Sequence, residues 1–483
     1  METQSSRRQF LKSTLASSSM LLTSGAMMGG CSTSSPAVRS QAQWDKEAAL
    51  VKQRINAPSF PNYAVSISDI LEAQQRELGS ANVRQAIHTA LAKVAQNGGG
   101  KVIIPPGIHY CDGPLHLISN TNLHLEKGAT LTFSTNPEDY KPFVFTRWEG
   151  MELMGYSPLI YAFEQENIAI TGEGTIDGAA SADNWWPWKG KWKSADWGNH
   201  PVANQKFTRD ALQVMVEEEV PVAERVFEHN YLRPPLIQPY RCKNVLIEGV
   251  TLTRSPFWLV NPVLCSNVTV SHVHCESFGP NSDGCDPESC TDVLITHCVF
   301  DTGDDCIAIK SGRNADGRRI NVPCQNIVIE HCEMKAGHGG VVIGSEISGG
   351  VKNLYAQYCT MSSPDLDRGI RIKTNSIRGG RLENLNYRNI DIGRVKDAVV
   401  VNFFYEEGDA GAFSPHLENI TIENLTVEAA QRAFYLRGYD HTPIEGLTLN
   451  NIIIKNAQSP SIIENVENIS INNVMINQQT FAL

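Results

Sequence analysis

Asn244-Val245-Leu246-Ile247-Glu248-Gly249-Val250-Thr251-Leu252 decides the fold. An asparagine leads into alternating apolar residues, a polar pair, and apolar residues again. Further copies begin at Asn267, Asp292, Asn326, Asn353, Asn384, Asn419, Gly446 and Asn468, at intervals of 22 to 35 residues. Weaker copies begin at Asn122 and Asn167. Alternation with a period of two marks short strands with one buried face. Recurrence at this interval marks a solenoid. No helix-length segment separates the copies, so the prediction is an all-β fold. It is a single right-handed parallel β-helix whose coils stack about 4.8 Å apart. Asparagine suits the turn because it tolerates left-handed φ, and stacked amides can hydrogen-bond along the ladder. These asparagines therefore read as structural.

A solenoid needs its ends covered. Ser66 to Gln96 has helical periodicity through Val83, Ala86, Ile87, Ala90, Leu91 and Val94, and it stops at Gly98-Gly99-Gly100. That pattern predicts an N-terminal capping helix, followed by a first strand from Lys101. Residues 179–240 interrupt the repeat. This insert holds Trp185, Trp186, Trp188, Trp192 and Trp197, five of the eight tryptophans. Thr208 to Phe227 within it reads as a helix broken at Pro221. The tryptophans fit a wall of a saccharide groove, since aromatic rings stack on sugar faces. They fit equally a small core that pins a long insert.

The chain has 483 residues, is 41% hydrophobic and carries a net charge of -11. That charge argues against nucleic acid as a partner, because a phosphate-binding surface shows a basic excess. Ser6-Arg7-Arg8-Gln9-Phe10-Leu11-Lys12 resembles a twin-arginine export signal, and the weakly apolar run after it is too short to span a membrane. Met28-Gly29-Gly30-Cys31 resembles a lipoprotein cleavage box, which implies a lipid anchor on Cys31. A soluble periplasmic or secreted protein is the other outcome. The chain then divides into a signal at 1–31, a linker at 32–44, and a β-helix domain at 45–483. The eleven other cysteines form no zinc or iron–sulfur spacing, and their odd count cannot pair fully within one chain. Buried thiols packed as small hydrophobes is the preferred reading, with one or two disulfides left open. No cofactor or metal is expected, and a capped solenoid has little need to oligomerise.

Four polar motifs fall in consecutive coils: Asn281-Ser282-Asp283, Gly303-Asp304-Asp305, Gly337-His338-Gly339 and Arg371-Ile372-Lys373. Similar offsets from the asparagine positions should align them on one face. Splitting a glycosidic bond needs a proton donor for the leaving oxygen and a nucleophile for the anomeric carbon. Three crowded aspartates cannot all ionise easily, so one should hold its proton and serve as the acid. A wide carboxylate separation would leave room for a water and give inversion. Arg371 and Lys373 share one face of a strand, and Lys310, Arg313 and Arg318 follow the Asp pair. A cationic pocket beside carboxylates, in an acidic protein, suggests an acidic sugar.

In that order the motifs resemble glycoside hydrolase family 28, the polygalacturonases. Gly172-Glu-Gly-Thr-Ile-Asp-Gly178 resembles the family too, as does most of the chain from about residue 45. The resemblance implies that Asp304 is the general acid and that Asp283 and Asp305 position the water. It implies that His338 maintains the protonation state of the acid and contacts substrate. Arg371 and Lys373 would hold a galacturonate carboxylate. Asn281, Lys310, Arg313 and Tyr405 are the remaining candidates for substrate contact. Ser282 stands where the family more often has Thr. The long insert and the stretch from Lys310 look like the bacterial exo-acting branch. The expected partner is a galacturonate-containing polysaccharide or oligosaccharide. Two alternatives stay open at this level: a calcium-dependent pectate or rhamnogalacturonan lyase, and a non-catalytic saccharide-binding β-helix.

Overall fold

The asparagine turns set the architecture. The computed structural model describes residues 41–192 and 204–483, with side chains from Gln43 onward. The twin-arginine stretch, Cys31 and Trp197 lie outside the described residues. Within the described residues the chain coils into a right-handed parallel β-helix. Residues one coil apart pair in register: Ile168, Val245, Val268, Val293, Ile327, Leu354, Leu385 and Ile420 form one inward column. Each such side chain contributes roughly 1.5–3 kcal/mol by burial, and the column continues from coil to coil.

Each turn asparagine adopts left-handed φ, +57° at Asn244, Asn326 and Asn353. Its amide donates to the previous coil: Asn384 to Asn353 at 3.0 Å, Asn353 to Asn326 at 2.9 Å, and Asn326 to Asp292 at 3.1 Å. The earliest member differs from the sequence expectation. Asn167 donates to Asn120, not to Asn122, at 2.9 Å, and Asn122 pairs with Ala169 within the strands. The cysteines form inward columns as well, with 242, 265, 290 and 324 at one level and 298, 332 and 359 at another. The eleven in the described residues are buried free thiols.

The N-terminal end is more elaborate than predicted. Helix α1 (Gln41–Lys52) lies on the side of the solenoid. Trp44, assigned to a linker from sequence, is buried against Tyr355 and Val328, with the Arg388 guanidinium 4.8 Å from its ring centroid. Lys52 pairs with Glu330 at 2.9 Å, and Asn56 exchanges two hydrogen bonds with the ladder residue Asn267. The single capping helix expected from sequence is two helices, α2 (Ile67–Leu78) and α3 (Val83–Gln96). Helix α3 lays Ala86, Ile87, Ala90, Leu91 and Val94 over the first coil. Gly100 ends the turn after it with φ +144°, where a Cβ would meet the Tyr63 carbonyl oxygen at 2.1 Å.

In the insert, the predicted helix is shorter. It is α4 (Gln205–Glu217), which ends before Pro221. An antiparallel hairpin of Val144–Trp148 and Met151–Gly155, not foreseen from sequence, packs beside it. A short helix, α5 (Asn314–Ile320), follows the Asp pair.

Candidate active site

Register brings the motifs together. A bridge between Cys285 and Ile307 sets Asp283 level with Asp305. Pairing of Ile307 with Val341 sets Gly339 at the same level, and pairing of Val341 with Ile370 puts Arg368 there. The fourth motif is therefore not aligned as expected, because Arg371 lies three residues farther along its strand. Its long side chains reach back instead. Arg371 Nη1 is 3.2 Å from one oxygen of Asp305, and Lys373 Nζ is 2.7 Å from the other.

These groups border a cavity of about 330 Å³. Asp283, Asp304, His338, Arg371, Lys373, Lys310, Asn281 and Tyr405 all line it. Asp305 is fully buried behind the wall. Arg313 does not line it either. It is buried against Glu149 at 3.0 Å and Glu346 at 3.6 Å, so the structure gives it a supporting place, not the direct sugar contact expected from sequence. Arg318 donates to the Ile377 carbonyl away from the cavity. Asn281 accepts a hydrogen bond from Arg233 at 2.7 Å, which ties the first motif to the insert. Lys310 is buried 4.4 Å from the Trp258 ring centroid and pairs with Glu346, Asp286 and Asp283. The Tyr405 ring lies against both Arg371 and Lys373.

One oxygen of each of Asp283, Asp304 and Asp305 lies within 4.8 Å of the others. That is the tight cluster expected from the aligned motifs, and it suits one water shared between carboxylates. Their ionisation differs from the simple crowding argument. Burial works to raise the Asp304 carboxyl, but His338, Lys373 and Arg371 outweigh it and hold it far below the usual range. Burial is opposed at Asp305 too, by Lys373 and Arg371, which keep it low. Asp283 is the raised carboxyl, through burial and through Asp286 and Asp304. His338 Nδ1 sits 2.9 Å from Asp304, which raises the imidazole. The pair therefore favours a proton on His338 over one on Asp304.

Sequence reasoning missed Glu149, Asp286, Glu346, Trp258, Lys189, Lys191 and Arg209. Glu346 follows Ile343, the partner of Ile309, so register alone could have found it. The others come from the hairpin, the insert and strand ends with no motif of their own. The tryptophans split between their two expected roles. Trp185 and Trp188 pack with Tyr140, Tyr156 and Tyr231 as a small core, and Trp192 lines the cavity.

The family model described as Glycosyl hydrolases family 28 matches residues 225–475. The chain is 27% identical over 381 residues to a probable polygalacturonase of Vitis vinifera, covering 75% of this chain and 68% of that one. It is similar to the crystal structure of a hyperthermoactive exopolygalacturonase from Thermotoga maritima, with 38% identity and a TM-score of 0.81. That match covers 89% of this chain and 96% of the other. The family 28 exopolygalacturonase of Yersinia enterocolitica shares the fold, with 22% identity, a TM-score of 0.66, and coverage of 86% and 76%.

Proposed function

This chain belongs to glycosyl hydrolases family 28, and on that premise we propose that it hydrolyses α-1,4-galacturonosyl linkages in pectin or pectic oligosaccharides, from a chain end and with inversion. The observation that carries the substrate is one cavity in which Asp304 lies beside Arg371 and Lys373. Those cations balance a buried aspartate and still face the cavity, where a sugar carboxylate can meet them.

The proton path follows from the paired titration. An incoming carboxylate offsets the field of Lys373 and Arg371, which raises the Asp304 carboxyl. The proton held by His338 then passes to Asp304 and on to the leaving oxygen. Asp305 makes a poor nucleophile, because both of its oxygens are engaged by cations. Asp283, whose carboxyl burial and its acidic neighbours push toward the neutral form, is a weak one too. Both are better placed to hold a water, and attack by water gives inversion. Once Asp304 is neutral, Asp283 loses a repelling charge and can accept the water's proton. Exo action is supported by Lys189, Lys191, Trp192 and Arg209, through which the insert lines the cavity.

Hydrolysis of defined galacturonate oligomers, with the product anomer followed by NMR and product sizes followed in time, is the test. A β-anomeric product released one terminal unit at a time is expected. An unsaturated product that needs calcium would replace the hydrolase by a lyase, and early mid-length products would overturn exo action. Ser6–Lys12 and Cys31 further support export by the twin-arginine route to the periplasm, with a lipid anchor. Lipid labelling of the wild type but not of Cys31→Ser tests the anchor.

A further inference from the structure

Most cations of the cavity are spoken for; among the described residues the exceptions are Lys189 and Lys191, and Lys191 is exposed to solvent. Arg371 and Lys373 engage Asp305, Lys310 engages Glu346, His338 engages Asp304, and Arg209 engages Glu149 at 2.7 Å. Lys189, at the end of the short turn Trp186–Lys189 in the insert, lines the same cavity. Among the described residues it has no ion-pair or hydrogen-bond partner. Glu149, the nearest acid in electrostatic terms, is already held by Arg209 and by Arg313. Burial pushes the Lys189 amine down, Arg233 and Arg209 add to that, and Glu149 and Asp304 oppose it. A desolvated ammonium without a fixed counter-charge is costly, and an anion entering the cavity would relieve it.

The position of Lys189 says which anion. Asn281, two residues from Asp283, is bound by Arg233 of the insert. Trp186, three residues before Lys189, donates to the Ser255 carbonyl at 3.0 Å. This part of the insert therefore sits on the Asp283 side of the cleavage point, and Arg371 and Lys373 sit in the coil beyond His338. A water held at Asp283 attacks the sugar on the insert side. In exo action that sugar is the chain terminus.

We propose that Lys189 anchors the carboxylate of the chain-terminal galacturonate while Arg371 and Lys373 hold that of the next sugar. Each sugar flanking the cleaved bond then needs its own acid group. Linkages with a neutral sugar on either side, as between rhamnose and galacturonate, are poor substrates, and uninterrupted galacturonan is the preferred polymer. This rests on the galacturonan reading above.

The test compares digalacturonate with a disaccharide whose non-reducing unit is galactose, for wild type and for Lys189→Met and Lys189→Arg. Wild type should lose about 10- to 100-fold in kcat/KM on the neutral-ended substrate. Lys189→Met should lose a similar factor on digalacturonate, mainly in KM, and nothing further on the neutral-ended sugar. Lys189→Arg should retain most activity. Equal losses on both substrates would overturn the assignment, as would a wild type that does not discriminate. The wild-type comparison holds even if the Met variant fails to fold. A wild type that cleaves neither substrate would instead sink the galacturonan reading.

Discussion

Each coil presents an asparagine turn at one corner and a cavity-facing strand on another side, and stacking has opposite consequences at the two places. At the turn, like sits on like. An amide both donates and accepts, so Asn384, Asn353 and Asn326 satisfy one another in series. At the cavity the same stacking brings Asp283 level with Asp305, and like charges repel. The chain answers by departing from the repeat. Arg371 and Lys373 are displaced along their strand and reach back, and Lys310 is driven between Asp283, Asp286 and Glu346. The compensation is incomplete: one oxygen of Asp283 and both of Asp286 have no hydrogen-bond partner among the described residues. A solenoid can propagate self-complementary groups without limit. Its chemistry sits where the repeat is broken and polar groups are left wanting.

The sharpest way to break this contrast is at Asp304. Asp304→Asn keeps shape and hydrogen bonding but cannot deliver a proton. kcat on a galacturonate trimer is expected to fall about 10²–10⁴-fold, and the thermal midpoint should fall with it, because the charge pair with His338 is lost. A fully active variant would remove the acid from Asp304 and point to the raised carboxyl of Asp283. Lys373→Met should act on both sides of the contrast. It leaves Asp305 buried with Arg371 alone, so about 3 kcal/mol of stability is expected to go. It also raises KM for acidic oligomers. Denaturant unfolding and steady-state kinetics on one preparation separate the two effects.

The His338–Asp304 pair sharpens the comparison through pH. Asp304 is lowered and His338 is raised on folding. The aspartate's stabilisation is full above the ordinary carboxylate pKa, about 3.9, and fades as pH falls through its lowered value. The histidine's is full below about 6.5 and fades as pH rises through its raised value. Between those limits the pair holds the one proton that acid catalysis needs. His338→Gln leaves that proton to Asp304 alone, so the alkaline limb of kcat/KM should move to lower pH, by about one unit or more. A limb that stays in place would mean another group sets it.

Sequence made the stack legible because its signals are local. A turn asparagine followed by alternating aliphatics reads the same in every coil. Even so, the register slipped at Asn120, where Thr121-Asn122-Leu123 alternates equally well from either asparagine. The site was legible in its motifs but not in its electrostatics. Crowding of Asp283, Asp304 and Asp305 was visible. The 2.9 Å contact of His338 that moves the proton off Asp304 was not. Glu149 and Lys189 were invisible because the hairpin and the insert carry them in from outside the repeat. Trp44 was missed for a related reason: a lone tryptophan ahead of the repeat gives no hint that it docks on Tyr355 and Arg388.

The smallest effect tests the regular side of the comparison. Asn326 occupies left-handed φ and bonds both ways, to Asp292 and from Asn353. Asn326→Gly keeps the backbone at ease and removes only the side-chain bonds, which should cost about 1 kcal/mol. Asn326→Ala adds the left-handed penalty of an ordinary residue, about 1 kcal/mol more. Neither should alter kcat, because the ladder lies at another corner of the coil. The ordering wild type, Gly, Ala in urea midpoints would confirm that the turn works by conformation and amide stacking together. If Gly matched wild type, the stacked amides would contribute nothing beyond their tolerance of the turn. The solenoid's regular face would then be held by its aliphatic columns alone.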